Sequence, residues 1–167
     1  VHIPTSVASA EPGSVPILVF GHGLFNEPAD YLNDDEDASG LLELAEEGGY
    51  IVLASKWRGL SSDERLLALE VAQDYGRIPE LTNGLVQGQV NFSTILALIE
   101  DGTIFEDSVF AGTHGLSLAN PEHVFYYGIS LGAIEGAVLL AQSEQLDATV
   151  LHVGGGAWST MLERSSN

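Results

Sequence analysis

Four short apolar runs punctuate this chain, and a stretch with helical spacing separates each from the next. Residues 15–20 (Val-Pro-Ile-Leu-Val-Phe), 50–55 (Tyr-Ile-Val-Leu-Ala-Ser), 123–127 (His-Val-Phe-Tyr-Tyr) and 148–153 (Ala-Thr-Val-Leu-His-Val) are the runs. A strand with one wet face alternates apolar and polar residues, whereas a strand covered on both faces reads as a continuous apolar run. The intervening stretches predict helices over 39–47, 62–73, 84–99 and 131–142, the first stopping at Gly48-Gly49. This β-α-β-α-β-α-β alternation predicts an α/β chain: a mostly parallel sheet with helices on both faces. Residues 1–4 read as the end of a further strand, 56–83 as a long excursion and 101–121 as a loop-rich insertion.

The third run passes directly into Gly128-Ile129-Ser130-Leu131-Gly132, a G-x-S-x-G pentapeptide, and then into an apolar helix. A strand-to-helix turn this tight crowds any β-carbon at its flanks, which suits the glycines, and holds the serine hydroxyl exposed at its apex. Ser130 is therefore the candidate nucleophile, with 128–132 as its elbow; the plainer alternative is a serine that caps the following helix. The first run ends in a second motif, Gly21-His22-Gly23-Leu24-Phe25, within a loop at 20–25. A loop in that place and the residue after the nucleophile are expected to supply the two backbone N–H groups of an oxyanion hole. Here the donors are Leu24 and Leu131, with Gly23 leaving room for a substrate carbonyl and Phe25 lining the approach. His22 is expected to brace the loop rather than act as a base. In the helix after the elbow, Gly132, Ala133, Gly136 and Ala137 are small enough to let it approach the sheet closely.

Charge narrows the partners. Against 24 acidic residues stand 5 basic ones, Lys56 the single lysine, for a formal net charge of -19. Such a surface repels nucleic acid and anionic membranes, and suits a saline, extracellular or periplasmic setting. Without cysteine, thiol nucleophiles, disulfides and thiolate metal sites are excluded. The run Asp34-Asp35-Glu36-Asp37 lacks the alternating spacing and central glycine of a calcium loop and reads as solvated; no metal or cofactor is expected. Residues 1–16 carry no signal-peptide pattern, and 124–141, though apolar, contains Glu135 and three glycines, so no integral membrane segment is expected.

With these motifs placed, the chain resembles the core of a bacterial secreted lipase/esterase-like α/β-hydrolase over residues 15–165. The resemblance is carried by Phe20-Gly21-His22-Gly23-Leu24-Phe25, Trp57-Arg58-Gly59, Gly88-Gln89-Val90-Asn91-Phe92, Tyr126-Tyr127-Gly128-Ile129-Ser130-Leu131-Gly132 and Leu162-Glu163-Arg164-Ser165. It implies an α/β-hydrolase sheet in which the 50–55 strand is followed by the 15–20, 123–127 and 148–153 strands. It further implies Ser130 as nucleophile, Leu24 and Leu131 as oxyanion donors, and hydrolysis of a small-molecule or lipid ester. Such relatives often have Gln-Gly after the serine; Leu131-Gly132 stand here, which leaves a backbone donor intact. An acid and then a histidine should follow the nucleophile in the chain. After Ser130 come Glu135 on the elbow helix, Glu144, Asp147 at the amino end of the next strand, His152 within that strand, and Glu163. None suits the role, so residues 1–167 read as a partial hydrolase domain whose acid and histidine belong to a further polypeptide segment. Two other readings stand beside it: a non-catalytic binding or structural module on a degenerate hydrolase scaffold, and an anion-binding α/β protein using Gly154-Gly155-Gly156.

Overall fold

A computed structural model describes residues 1–33 and 39–156. The acidic run 34–37 and the 162–165 motif lie outside the described residues. Strands β1 (Val15–Gly21), β2 (Ile51–Ala54), β3 (Ala119–Ile129) and β4 (Ala148–His152) form one parallel sheet in the order β2-β1-β3-β4. This is the expected strand order. His2 adds an isolated antiparallel bridge to Val52, exchanging hydrogen bonds of 2.9 Å in both directions; residues 1–4 otherwise form no strand.

Successive side chains point to opposite faces of a strand, and both faces of β1 are buried. Ile17 and Val19 join Ile51, Leu53, Val124 and Tyr126 in a core shared with helices α4 (Ile78–Glu100) and α5 (Leu131–Gln142). Leu18 and Phe20 face the other way, with Val52 and, from α2 (Leu41–Gly48), Leu41 and Ala45. Helices thus cover both faces. The helix α3 (Arg65–Gln73) and the four-residue α1 (Ala29–Leu32) complete the α-helices among the described residues. No described helix is long and apolar enough to cross a membrane.

Several boundaries differ from expectation for physical reasons. Helix α4 begins at Ile78, six residues before the predicted start, with Pro79 in its first turn, where a missing N–H costs nothing. Gly84 and Gly88 read as breakers but are contact points. A Cβ on Gly84 would stand 2.5 Å from Gly59 Cα, and one on Gly88 3.1 Å from the Arg58 nitrogen. The 57–59 loop therefore lies directly on the helix, and Trp57 stacks on Phe92 with centroids 3.8 Å apart. The predicted helix at 62–73 opens as a 3-10 turn, Ser62–Glu64, with Ser61 and Glu64 capping each other before α3. Strand β3 begins at Ala119 rather than 123; its register against β1 jumps between Val15 and Ile17, a bulge that accommodates Pro121. Helix α2 ends as expected, with Gly49 left-handed at φ 68° and its N–H on the Ala45 carbonyl.

The outer strand β4 hydrogen-bonds only to β3 among the described residues. Val150, Leu151 and Val153 at this edge are 58%, 40% and 68% exposed.

Candidate active site

Each of the parallel strands ends toward the same side of the sheet, and the two sequence motifs meet there. Ser130 sits between β3 and α5 at φ 54°, ψ -112°, a region that few residues other than glycine enter. Its N–H donates to the His152 carbonyl at 2.9 Å, and its own carbonyl accepts from Ala133 at 3.0 Å. Its side chain makes no capping bond to α5, which removes the capping explanation for a serine here. Among the described residues the hydroxyl has no hydrogen-bond partner.

The flanking glycines are required by contact. A Cβ on Gly128 would fall 2.2 Å from the Gly132 carbonyl oxygen, and one on Gly132 only 2.1 Å from that of Gly21. The Gly132 N–H donates to the His22 carbonyl at 2.9 Å, so the elbow and the β1 loop are joined backbone to backbone. Gly23 faces Ser130 directly: a Cβ there would lie 3.9 Å from Ser130 Cβ. The N–H groups of Leu24 and Leu131 have no hydrogen-bond partner among the described residues, the condition a donor must meet to bind an anion. The Leu131 side chain is buried beneath the helix while that of Leu24 is exposed.

His22 is fully buried, and its ring is committed to the backbone. Nε2 accepts from the Trp57 N–H at 2.8 Å, which leaves the proton on Nδ1 to donate to the Gly23 carbonyl at 2.8 Å. Burial holds its pKa below the usual histidine range, so the ring stays neutral. Across a trans peptide the C=O and N–H point in opposite directions. By pinning the Gly23 carbonyl, His22 therefore aims the Leu24 N–H. Phe25 follows at φ 56°, a second non-glycine residue with left-handed backbone, and its N–H donates to Leu60 at 2.9 Å. Its ring packs partly against the main core with the Arg65 guanidinium 5.6 Å above it, a position that narrows its role as a pocket wall. Val153, just past β4, is the third such residue. Ser130 and Val153 directly follow β3 and β4, and Phe25 lies in the loop after β1, all at the end of the sheet where the strands finish and where backbone strain and function commonly coincide.

No described histidine or carboxylate contacts the Ser130 hydroxyl. His152 turns its ring to Tyr127, accepting or donating at 2.8 Å through Nδ1 and stacking at 6.0 Å. Asp147 pairs with His123 at 3.1 Å at the amino end of the strands. Glu144 is exposed, and Glu163 lies outside the described residues. Glu135 is buried on α5, its carboxylate and backbone carbonyl both accepting from Gln89 Nε2 at 2.7 and 2.9 Å; burial raises its pKa. Gly154 packs against the first turn of α5, where a Cβ would meet that of Ala133 at 2.9 Å. Among the described residues no three histidines, aspartates or glutamates cluster as metal ligands do. A cavity of about 330 Å³ opens at the opposite end of the sheet, lined by Leu96, Ile99, Pro121 and Val124, far from this chemistry.

One site residue carries no signal in the sequence. Tyr31, on α1, accepts a hydrogen bond from the Gly23 N–H at 3.1 Å. A lone tyrosine in a polar loop has nothing to mark it; only the return of α1 over β1 brings it there. Trp57, Gln89 and Phe92, noted only as parts of a resemblance, prove to bind the helices α4 and α5 beneath the elbow.

No protein-family model, no curated protein and no solved structure matches this chain.

Proposed function

We propose that this chain carries the nucleophile and oxyanion hole of a serine carboxylic-ester hydrolase, built on an α/β-hydrolase-type sheet. The observation that supports it most is Ser130 itself. A strained, non-glycine backbone is retained between two glycines that cannot be replaced, and the hydroxyl it presents is bonded to nothing in the described protein. A helix cap or a simple turn would need neither the strain nor the vacancy.

In this reading Ser130 Oγ attacks the ester carbonyl, and its proton passes to a histidine that an acid orients. The carbonyl oxygen becomes negative and takes hydrogen bonds from the Leu24 and Leu131 N–H groups. Such donors do most when their geometry is set in advance, and the His22 ring and the His22–Gly132 bond set it here. The tetrahedral intermediate then expels the alcohol, and water releases the acid from the acyl-serine. This reading requires a histidine and an acid that the described residues do not bring to Ser130. Uncharged esters, small or lipid, in an extracellular or periplasmic setting fit the acidic surface better than anionic ones.

One observation favours a second reading, a non-catalytic module: no described base touches Ser130. A fluorophosphonate probe separates the two, because covalent capture requires an activated serine. The ester-hydrolase reading expects labelling at Ser130 in the native protein. It also expects turnover of short p-nitrophenyl esters to fall at least a thousandfold in Ser130→Ala without loss of folding. Ser130→Ala activity within about tenfold of wild type overturns it.

A further inference from the structure

Two contacts fix where the hydroxyl of Tyr31 sits. Its ring is tilted against buried Phe20 with centroids 4.9 Å apart, and Phe20 in turn meets Tyr127 at 5.7 Å. The Gly23 N–H donates to the phenolic oxygen at 3.1 Å. A Cβ on Gly23 would lie 2.9 Å from that oxygen and 3.9 Å from Ser130 Cβ. The hydroxyl and Ser130 thus flank one empty position, and those two distances together are the upper limit of the separation between the phenolic oxygen and Ser130 Cβ. A side chain at Gly23 would fill the gap; hydrogen leaves it open.

The bonding capacity of this hydroxyl is half used. Its oxygen accepts from Gly23, while nothing among the described residues accepts its proton. Burial raises its pKa above the ordinary phenol value, so the proton is retained at neutral pH. A phenol whose oxygen already accepts a hydrogen bond is polarised into a stronger donor. The anchor at Gly23 also places it within one residue, along the loop, of the Leu24 N–H.

We propose that the Tyr31 hydroxyl is a third donor to the ester carbonyl oxygen that becomes negative when Ser130 attacks, beside the N–H groups of Leu24 and Leu131. The proton stays on Tyr31 throughout; no bond to it forms or breaks. On this account Tyr31 is a catalytic residue, and the inference rests on the ester-hydrolase reading.

The test compares a p-nitrophenyl ester with its thionoester in the native protein, because thiocarbonyl sulfur is a poor hydrogen-bond acceptor. Tyr31→Phe keeps the ring and removes the donor. The expected result is a fall of about 10- to 100-fold in kcat on the oxygen ester with KM nearly unchanged. The thionoester should slow far less, so that the oxygen-to-sulfur rate ratio drops about tenfold. A merely structural role slows both substrates alike; a constant ratio, or an unchanged kcat, overturns the proposal. Should Tyr31→Phe unfold the site, a ring-fluorinated tyrosine at position 31 keeps both hydrogen bonds and acidifies the phenol. The alkaline limb of kcat must then move to lower pH, and a fixed limb overturns the proposal. Ser130→Ala, assayed alongside, keeps the two ideas apart. Absence of Ser130-dependent turnover removes the ester-hydrolase reading and this inference with it. Ser130-dependent turnover with a ratio indifferent to Tyr31 removes this inference alone.

Discussion

At the scale of single residues, the backbone of Ser130 carries a measurable cost. A side chain held at φ 54°, ψ -112° costs about 1–3 kcal/mol, which glycine escapes, although glycine also gains freedom in the unfolded chain. Ser130→Gly should therefore raise stability by about 1 kcal/mol net, a rise in Tm of roughly 2–4 °C, while abolishing activity. Ser130→Ala is the control, since it removes the same hydroxyl and keeps the strain. A Ser130→Gly protein that melts no higher than Ser130→Ala would mean that the elbow is relaxed. Much at this scale was legible beforehand. Ser130, Gly23, Leu24 and Leu131 were marked by motifs whose spacing reflects backbone geometry, and the structure brings Gly23 against Ser130. Tyr31 was not legible, because its place depends on how a short polar loop folds back rather than on any local pattern.

At the scale of elements, the α4–α5 contact holds a pH-dependent group. Glu135 is buried, its pKa is raised by burial, and beside it Gln89 Oε1 is a buried acceptor with no partner. An acid whose pKa is higher in the folded than in the unfolded state supports folding at low pH. That support is lost as pH rises above the unfolded value near 4.5 and through the raised folded one. Glu135→Gln removes the buried charge and offers an amide donor to the unpartnered Gln89 oxygen. It should raise Tm at neutral pH, and the gain should shrink toward pH 4; a gain independent of pH would point to packing instead. Strands β1 and β2 were readable because burial on both faces leaves continuous apolar runs, whereas β4 has such a run although its side chains are largely exposed. The start of α4 was not: Gly84 and Gly88 weaken a helix when viewed alone, and only the 57–59 loop lying against them gives them a purpose. The early start of β3 was hidden in the same way, by Pro121 and a bulge that no period of two can express.

At the scale of the molecule, charge dominates. A net charge of -19 works against compactness, and three of the five basic residues are held in ion pairs with carboxylates. Lys56 bridges Glu27 and Asp63 at 2.7 Å each, Arg58 pairs with Glu64, and Arg77 is held between Glu70 and Glu80. Salt screens these exposed pairs too, but each contributes little, whereas the repulsion among unpaired carboxylates is summed over the whole surface. Tm should therefore climb steadily as NaCl increases from low to molar concentration. A flat or falling curve would show that self-repulsion does not limit this fold. The join between Gly21 and Gly132 has a different reach. The loop after β1 and the turn before α5, which carry Leu24 and Leu131, touch through main chain, and the buried His22 ring fixes the direction of the Leu24 N–H, so neither leucine side chain sets the spacing of the two N–H groups. On the ester-hydrolase proposal, the exposed side chain at position 24 can change without moving the backbone that carries its N–H, so substrate preference and donor geometry can vary independently.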